Sequence, residues 1–123
     1  MRNLGVVRAV GVDIESIARF RALDRRADRA FFRRVFTPAE IAYCFSRRDP
    51  APHLAARFCA KEAVVKALCS MGRDVVAYRT IEVLRDGRGV PSVRLRNMSR
   101  PPQLSVSVSH CRAYAIAVVV ATA

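Results

Sequence analysis

The chain has 123 residues, enough for one domain with its own core, and 52% of them are hydrophobic, which excludes an intrinsically disordered segment. Lysine and arginine number 22 against 10 acids, a net charge of +12 that implies an acidic partner. Nucleic acid, an anionic membrane, or an acidic protein with a phosphate-rich cosubstrate would each satisfy it.

The first predicted element is a strand at about residues 6–14. Its period-2 alternation puts Val10, Val12 and Ile14 on one face and Gly11, Asp13 and Glu15 on the other. Two carboxylates so placed either end the strand in water or share a cation, because like charges this close raise each other's proton affinity. Oxygen ligands without nearby histidine or thiolate suit a hard ion such as Mg²⁺, which takes further oxygens from water and substrate phosphate. A helix with Ser16 as N-cap follows, then an arginine-rich stretch to Phe36. Seven arginines and two aspartates lie from Arg19 to Arg34, either a solvated basic face or a docking surface.

Thr37-Pro38-Ala39-Glu40 reads as a helix start, with Thr at N-cap, Pro at N1 and Glu reaching back from N3; this helix runs to about Phe45. Asp49-Pro50-Ala51-Pro52 is expected to be a break, followed by a long helix over 53–70 that Gly72 ends. On that helix Leu54, Val65 and Cys69 cluster around Phe58, while Glu62 lies about 40° and Lys66 about 80° from it. A surface i,i+4 ion pair contributes only about 0.2–0.5 kcal/mol and needs no place beside an apolar face. The alternative is a second acidic site acting with the first.

Residues 80–84 and 92–95 alternate as strands around the turn Asp86-Gly87-Arg88-Gly89. Val106 and Val108 alternate with Ser105, Ser107 and Ser109, and His110-Cys111-Arg112 turns the chain into an apolar strand from Tyr114 to Val120. The expected fold class is α+β: one compact domain over 1–123, with helices packed on a mainly antiparallel sheet. Cys44, Cys59, Cys69 and Cys111 form no C-x-x-C pair, so buried free thiols in a reducing compartment are expected rather than a metal–thiolate site. Arg8 and Asp13 interrupt the apolar stretch after Arg2, and Ala113–Ala121 is too short to span a bilayer, so a soluble cytoplasmic protein is expected.

Five segments in order carry a resemblance: Gly11-Val12-Asp13-Ile14-Glu15 with Arg19; Arg34 to Glu40; Arg57-Phe58 through Lys61-Glu62-Ala63 and Lys66-Ala67; Gly89-Val90-Pro91; and Val106-Ser107-Val108-Ser109-His110. Over nearly the whole chain the sequence resembles the holo-(acyl carrier protein) synthase family of 4′-phosphopantetheinyl transferases. The resemblance implies Mg²⁺ held by Asp13 and Glu62 against the pyrophosphate of coenzyme A. The serine hydroxyl of an apo acyl carrier protein, for fatty-acid or polyketide synthesis, would then attack the β-phosphate and release 3′,5′-ADP. Lys66 would neutralise phosphate charge, and His110, with Arg57, would meet the 3′-phosphate end of coenzyme A. Gly89 and Pro91 would lie beside the adenine.

Glu15 departs from many single-domain members, and its acid is either a third metal ligand or a solvated strand end. Glu62, Glu15 or a metal-bound water could take the serine proton. Cys111 stands where relatives commonly carry an acidic or hydroxyl residue. Arg19 has the spacing of the arginine that meets the acidic carrier helix, and Arg25, Arg26 and Arg29 would widen that contact. The family's compact members are homotrimers with sites between subunits, so the same is expected here. A nucleic-acid-binding module is the rival reading, but it lacks interleaved aromatics and leaves Asp13, Glu15 and Glu62 unexplained. Neither nucleic acid nor membrane is therefore expected as a partner. A member that binds without turnover is a second rival, which Glu62→Gln would separate.

Overall fold

The computed structural model describes residues 5–74 and 76–122. In chain order, β1 (Val7–Ser16) leads into α1 (Ile17–Arg21), α2 (Arg29–Val35), α3 (Pro38–Ser46) and the long α4 (Pro50–Ser70). A 3₁₀ turn at Tyr78–Thr80 precedes β2 (Ile81–Arg85), β3 (Pro91–Leu95), β4 (Gln103–His110) and β5 (Tyr114–Thr122). β5 lies between β1 and β4 in an antiparallel sheet, and β2 and β3 form a separate antiparallel hairpin. The α+β expectation is met.

α4 crosses the inner face of the three-stranded sheet, and small side chains let it come close. Ala55, Ala56, Ala60, Ala63 and Ala67 on the helix and Ala115, Ala117 and Ala121 on β5 are all buried. Gly11 sets the limit of approach, since a Cβ there would lie 1.9 Å from the carbonyl oxygen of Ala63. Elsewhere around α4, Phe20, Phe31 and Phe58 form an aromatic cluster, with the Phe20 and Phe58 ring centroids 5.4 Å apart.

Two expectations about α4 are corrected. Asp49-Pro50-Ala51-Pro52 does not break the chain but starts the helix, because the first-turn N–H groups have no intrahelical acceptor and proline loses nothing there. Nor is the helix apolar on one side only: every residue from Leu54 to Lys61 is buried, Arg57 and Lys61 included. Its end is as expected: Gly72 takes φ 74°, and Arg73 N–H donates to the Leu68 carbonyl at 2.9 Å.

The α3 cap is also as read. Thr37 Oγ1 accepts from Glu40 N–H at 3.2 Å, and Glu40 Oε1 accepts from Thr37 N–H at 2.8 Å. Ser16 occupies the N-cap of α1 but makes no side-chain cap bond. The arginines from Arg19 to Arg34 are spread over two short helices, α1 and α2, and the link that joins them. Between them the Asp24 carboxylate accepts from the N–H groups of Arg26 (3.1 Å) and Ala27 (2.7 Å) and turns the chain.

The outer face of the sheet is apolar and open, with Val10, Val12 and Ile14 beside Tyr114, Ile116 and Val118, all exposed. Of the cysteines, Cys44 and Cys59 are buried as expected, whereas Cys69 and Cys111 are exposed; all four are free thiols. Cys69 falls in the last turn of α4.

Candidate active site

Strand alternation turns the acids of β1 inward, toward α4. Asp13 lies opposite Ala117 and Glu15 opposite Ala115 on β5, so small neighbours leave room beside both carboxylates. Lys66 Nζ reaches across from α4, donating to the Val12 carbonyl at 2.9 Å and to Asp13 Oδ1 at 3.1 Å. Glu15 accepts from the Arg19 guanidinium at 2.8 Å. Burial, and then the hydrogen bond and charge of Asp13, push the Glu15 carboxyl up to about 7 against the opposing pull of Arg19.

Glu62, one turn before Lys66, accepts a hydrogen bond at Oε1 from the Tyr78 hydroxyl. Burial, followed by the bond to Glu62 and its charge, pushes the Tyr78 phenol up to about 12, so it keeps its proton; the charges of Asp13 and Glu15 act on the same hydroxyl. Behind them Cys59 Sγ donates to the Ala115 carbonyl at 3.2 Å, and burial pushes this thiol up to about 12, leaving it inert. Among the described residues no three histidine, cysteine or acidic side chains converge on one metal position. Asp13, Glu15 and Glu62 therefore do not close a three-ligand cage of their own.

Arg57 lies five residues before Glu62, about 140° around the helix, and faces a different cleft. That cleft, about 420 Å³, is lined by Tyr43, Arg57, Leu84, Asp86 and Gly89 among others. The Arg57 guanidinium stacks 4.2 Å from the Tyr43 ring centroid and donates to the His53 carbonyl at 3.3 Å. Gly89, at φ 80°, closes the β2–β3 turn, and Asp86 Oδ1 accepts there from the N–H groups of Arg88 (2.8 Å) and Val90 (2.9 Å). Pro91 opens β3 opposite Arg85, outside the residues that line the cleft. His110 ends β4 and is exposed. Its charge is felt at His53, whose pKa is lowered first by burial and then by Arg57, Arg47, Arg85 and His110. Arg57 and Arg85 are the cations that line the cleft, beside the carboxylates of Glu40, Glu82 and Asp86, of which Glu40 is bound to Lys61 and Glu82 to Arg96; His53 and His110 are not among its lining residues.

With Glu15 ionised, two buried side-chain polar atoms have no partner among the described residues: Asp13 Oδ2 and Arg57 Nε; a protonated Glu15 would donate to Asp13. An unpaired buried polar atom costs about 1–3 kcal/mol, and each of these falls on a residue expected to touch a ligand.

Arg25, Arg26 and Arg29 gather with Arg33 around Phe32 and Ile41 in a groove of about 320 Å³. Arg19 is apart from them, its guanidinium 5.4 and 5.1 Å from the ring centroids of Phe20 and Phe58. Sequence reasoning missed Tyr78 and Lys61. Lys61 is wholly buried, donating to Glu40 Oε1 (2.7 Å) and to the carbonyls of Tyr78 (2.9 Å) and Ile81 (2.7 Å). One signal was available: Arg57 and Lys61 form an i,i+4 pair of cations, unfavourable on a helix surface unless one of them is paired with an acid elsewhere.

A family model described as the 4′-phosphopantetheinyl transferase superfamily matches residues 9–119. A holo-[acyl-carrier-protein] synthase of Moorella thermoacetica is 45% identical over 115 residues, spanning 88% of this chain and 88% of that protein. One of Dehalococcoides mccartyi is 47% identical over 118 residues, spanning 90% of this chain and 95% of its own. The crystal structure of Helicobacter pylori holo-[acyl-carrier-protein] synthase in complex with coenzyme A shares 30% identity and a TM-score of 0.75, covering 92% of this chain and 99% of that one.

Proposed function

The chain belongs to the 4′-phosphopantetheinyl transferase superfamily, and from that membership we propose that it is a Mg²⁺-dependent holo-(acyl carrier protein) synthase. It moves the 4′-phosphopantetheine arm of coenzyme A to a serine hydroxyl of an apo acyl carrier protein and releases 3′,5′-ADP. The observation that carries this reading is the pair of orphaned buried atoms, Asp13 Oδ2 and Arg57 Nε, one suited to a cation and the other to an anion.

Asp13 and Glu62 offer the hard oxygen donors that Mg²⁺ prefers and would hold it; when bound, it supplies charge neutralisation at the pyrophosphate oxygens. Lys66, with a half-exposed side chain, is free to turn its ammonium from Asp13 to the phosphate oxygen that gains charge as 3′,5′-ADP leaves. Glu15 would serve either as a third ligand or, like Glu62, as the group that accepts the serine Oγ proton; in the metal-free protein burial and Asp13 raise its pKa to about 7, while Arg19 and a cation beside Asp13 both act to lower it. Arg57 and His110 bind the 3′-phosphate end of coenzyme A, with the Gly89–Pro91 turn beside the adenine. Arg19, Arg25, Arg26 and Arg29 receive the acidic carrier, steering its approach in a salt-dependent way.

The open apolar face of the sheet supports a homotrimer. Val10, Val12, Ile14, Ile116 and Val118 would be covered by neighbouring copies, bringing the His110 and Gly89 end of one subunit to Asp13, Glu62 and Lys66 of the next. One domain over 1–123 would carry the activity in the cytoplasm. Among the described residues no helix is long and apolar enough to cross a membrane.

The test is intact-mass spectrometry of an apo acyl carrier protein incubated with this protein, coenzyme A and Mg²⁺, beside a sample containing EDTA. The expected result is a gain of one phosphopantetheine arm that EDTA abolishes. No gain on several different carriers would overturn the reading.

A further inference from the structure

We propose that Tyr78 is a positioning residue for the Glu62 carboxylate, holding one oxygen so that the other is presented to the metal; this rests on the Mg²⁺ reading above. Tyr78 is fixed at three points by α4. Its carbonyl accepts from Lys61 Nζ at 2.9 Å, its ring lies 5.7 Å from that of Phe58, and its hydroxyl donates to Glu62 Oε1. Lys61 is itself immobilised by Glu40 and the Ile81 carbonyl. The half-buried Tyr78 is therefore packed against the core and anchored to α4, and the flexible side chain of Glu62 is tethered to it. An untethered side chain of this length would lose rotamer entropy on being ordered by a ligand.

The same plan appears on the opposite side of the site. Asp13 has one oxygen held by Lys66 and the other without a partner, and the hydrogen bond of Glu62 among the described residues goes to Oε1 alone. Outer groups that hold one oxygen of a ligating carboxylate orient it, and their loss commonly costs about 10- to 100-fold in metal affinity. A phenylalanine ring would fill the space against Phe58 equally well. What tyrosine adds at this position is the hydroxyl.

The experiment titrates Mn²⁺ into wild type, Tyr78→Phe, Glu62→Gln and the double variant with coenzyme A present. Free Mn²⁺ is read by electron paramagnetic resonance against a coenzyme A blank, and thermal melts verify folding. The expected result is a Tyr78→Phe dissociation constant raised about 10-fold or more. The half-maximal Mg²⁺ concentration for transfer should rise in parallel, and Tyr78→Phe should have no further effect in the Glu62→Gln background. Mn²⁺ binding by Tyr78→Phe at wild-type affinity would overturn the role of Tyr78 and leave the metal reading standing. Failure of the wild type itself to take up Mn²⁺ would overturn both.

Discussion

Two lysine–carboxylate pairs lie five residues apart on α4 and are built in opposite ways. Lys61 and Glu40 meet at 2.7 Å with both side chains essentially inaccessible, and Lys61 Nζ has three acceptors for its three protons. Glu40 is equally used: it also accepts from Thr37 N–H and, through Oε2, from Val83 N–H at 2.8 Å. Lys66 and Asp13 meet at 3.1 Å, with side chains 53% and 11% exposed, and Asp13 keeps one buried oxygen unpaired. A saturated charge pair can only hold elements together, here α3, α4 and β2. An unsaturated one keeps capacity for something that arrives from outside.

The largest effect should come from breaking the saturated pair. Lys61→Met leaves Glu40 charged and buried, and removing one partner of such a pair costs about 3–5 kcal/mol. Urea unfolding of this variant should therefore show most of the domain's stability gone. Adding Glu40→Gln should restore part of it, because no orphan charge then remains. Lys66→Ala should behave in the opposite way. Its stability should change by only about 1–3 kcal/mol, the cost of the Asp13 oxygen left without a partner, and so less than in Lys61→Met. Arm transfer should fall by about 10²- to 10³-fold, the usual cost of losing one charge-stabilising donor. A Lys66→Ala protein that unfolds as readily as Lys61→Met would erase the contrast between the two pairs.

Gly11 sharpens the same comparison, because it lies beside the unsaturated pair yet acts through packing. In Gly11→Ala the new methyl would collide with the Ala63 carbonyl, so β1 or α4 must shift. The expected cost is at the upper end of the roughly 1–3 kcal/mol of overpacked cores, read by denaturant midpoint. Transfer should fall beyond what stability explains, since Asp13 is two residues along the displaced strand.

Much of this was legible in the sequence where the signal is local. Strand alternation put Asp13 and Glu15 on one face, the Thr37–Glu40 capping box fixed the start of α3, and Gly72 marked the end of α4. What escaped depended on contacts between distant segments. Glu40 reads completely as a cap, and nothing near it announces that Lys61, 21 residues on, will take the same oxygen. Tyr78 lies 16 residues from Glu62 on a short 3₁₀ turn whose position is set by Lys61, not by its own sequence. The prolines of Asp49-Pro50-Ala51-Pro52 suggested a break because their meaning reverses at the first turn of a helix.

The smallest effect should be a pH slope from the unsaturated side alone. Glu15 has a folded pKa of about 7 against an ordinary value of 4.5, so between these pH values the folded chain holds a proton that the unfolded chain has released. That stabilisation is complete below about pH 4.5 and is lost as pH rises through 7. The unfolding midpoint of metal-free protein should therefore decline from pH 5 to about 7.5 relative to Glu15→Gln, where the carboxyl cannot ionise. The saturated pair contributes nothing to this difference, since Lys61 and Glu40 are the same in both proteins. Added Mg²⁺ should shrink it, because a cation beside Asp13 offsets the negative charge that holds the Glu15 proton in place. An identical slope with and without Mg²⁺ would place the cation elsewhere.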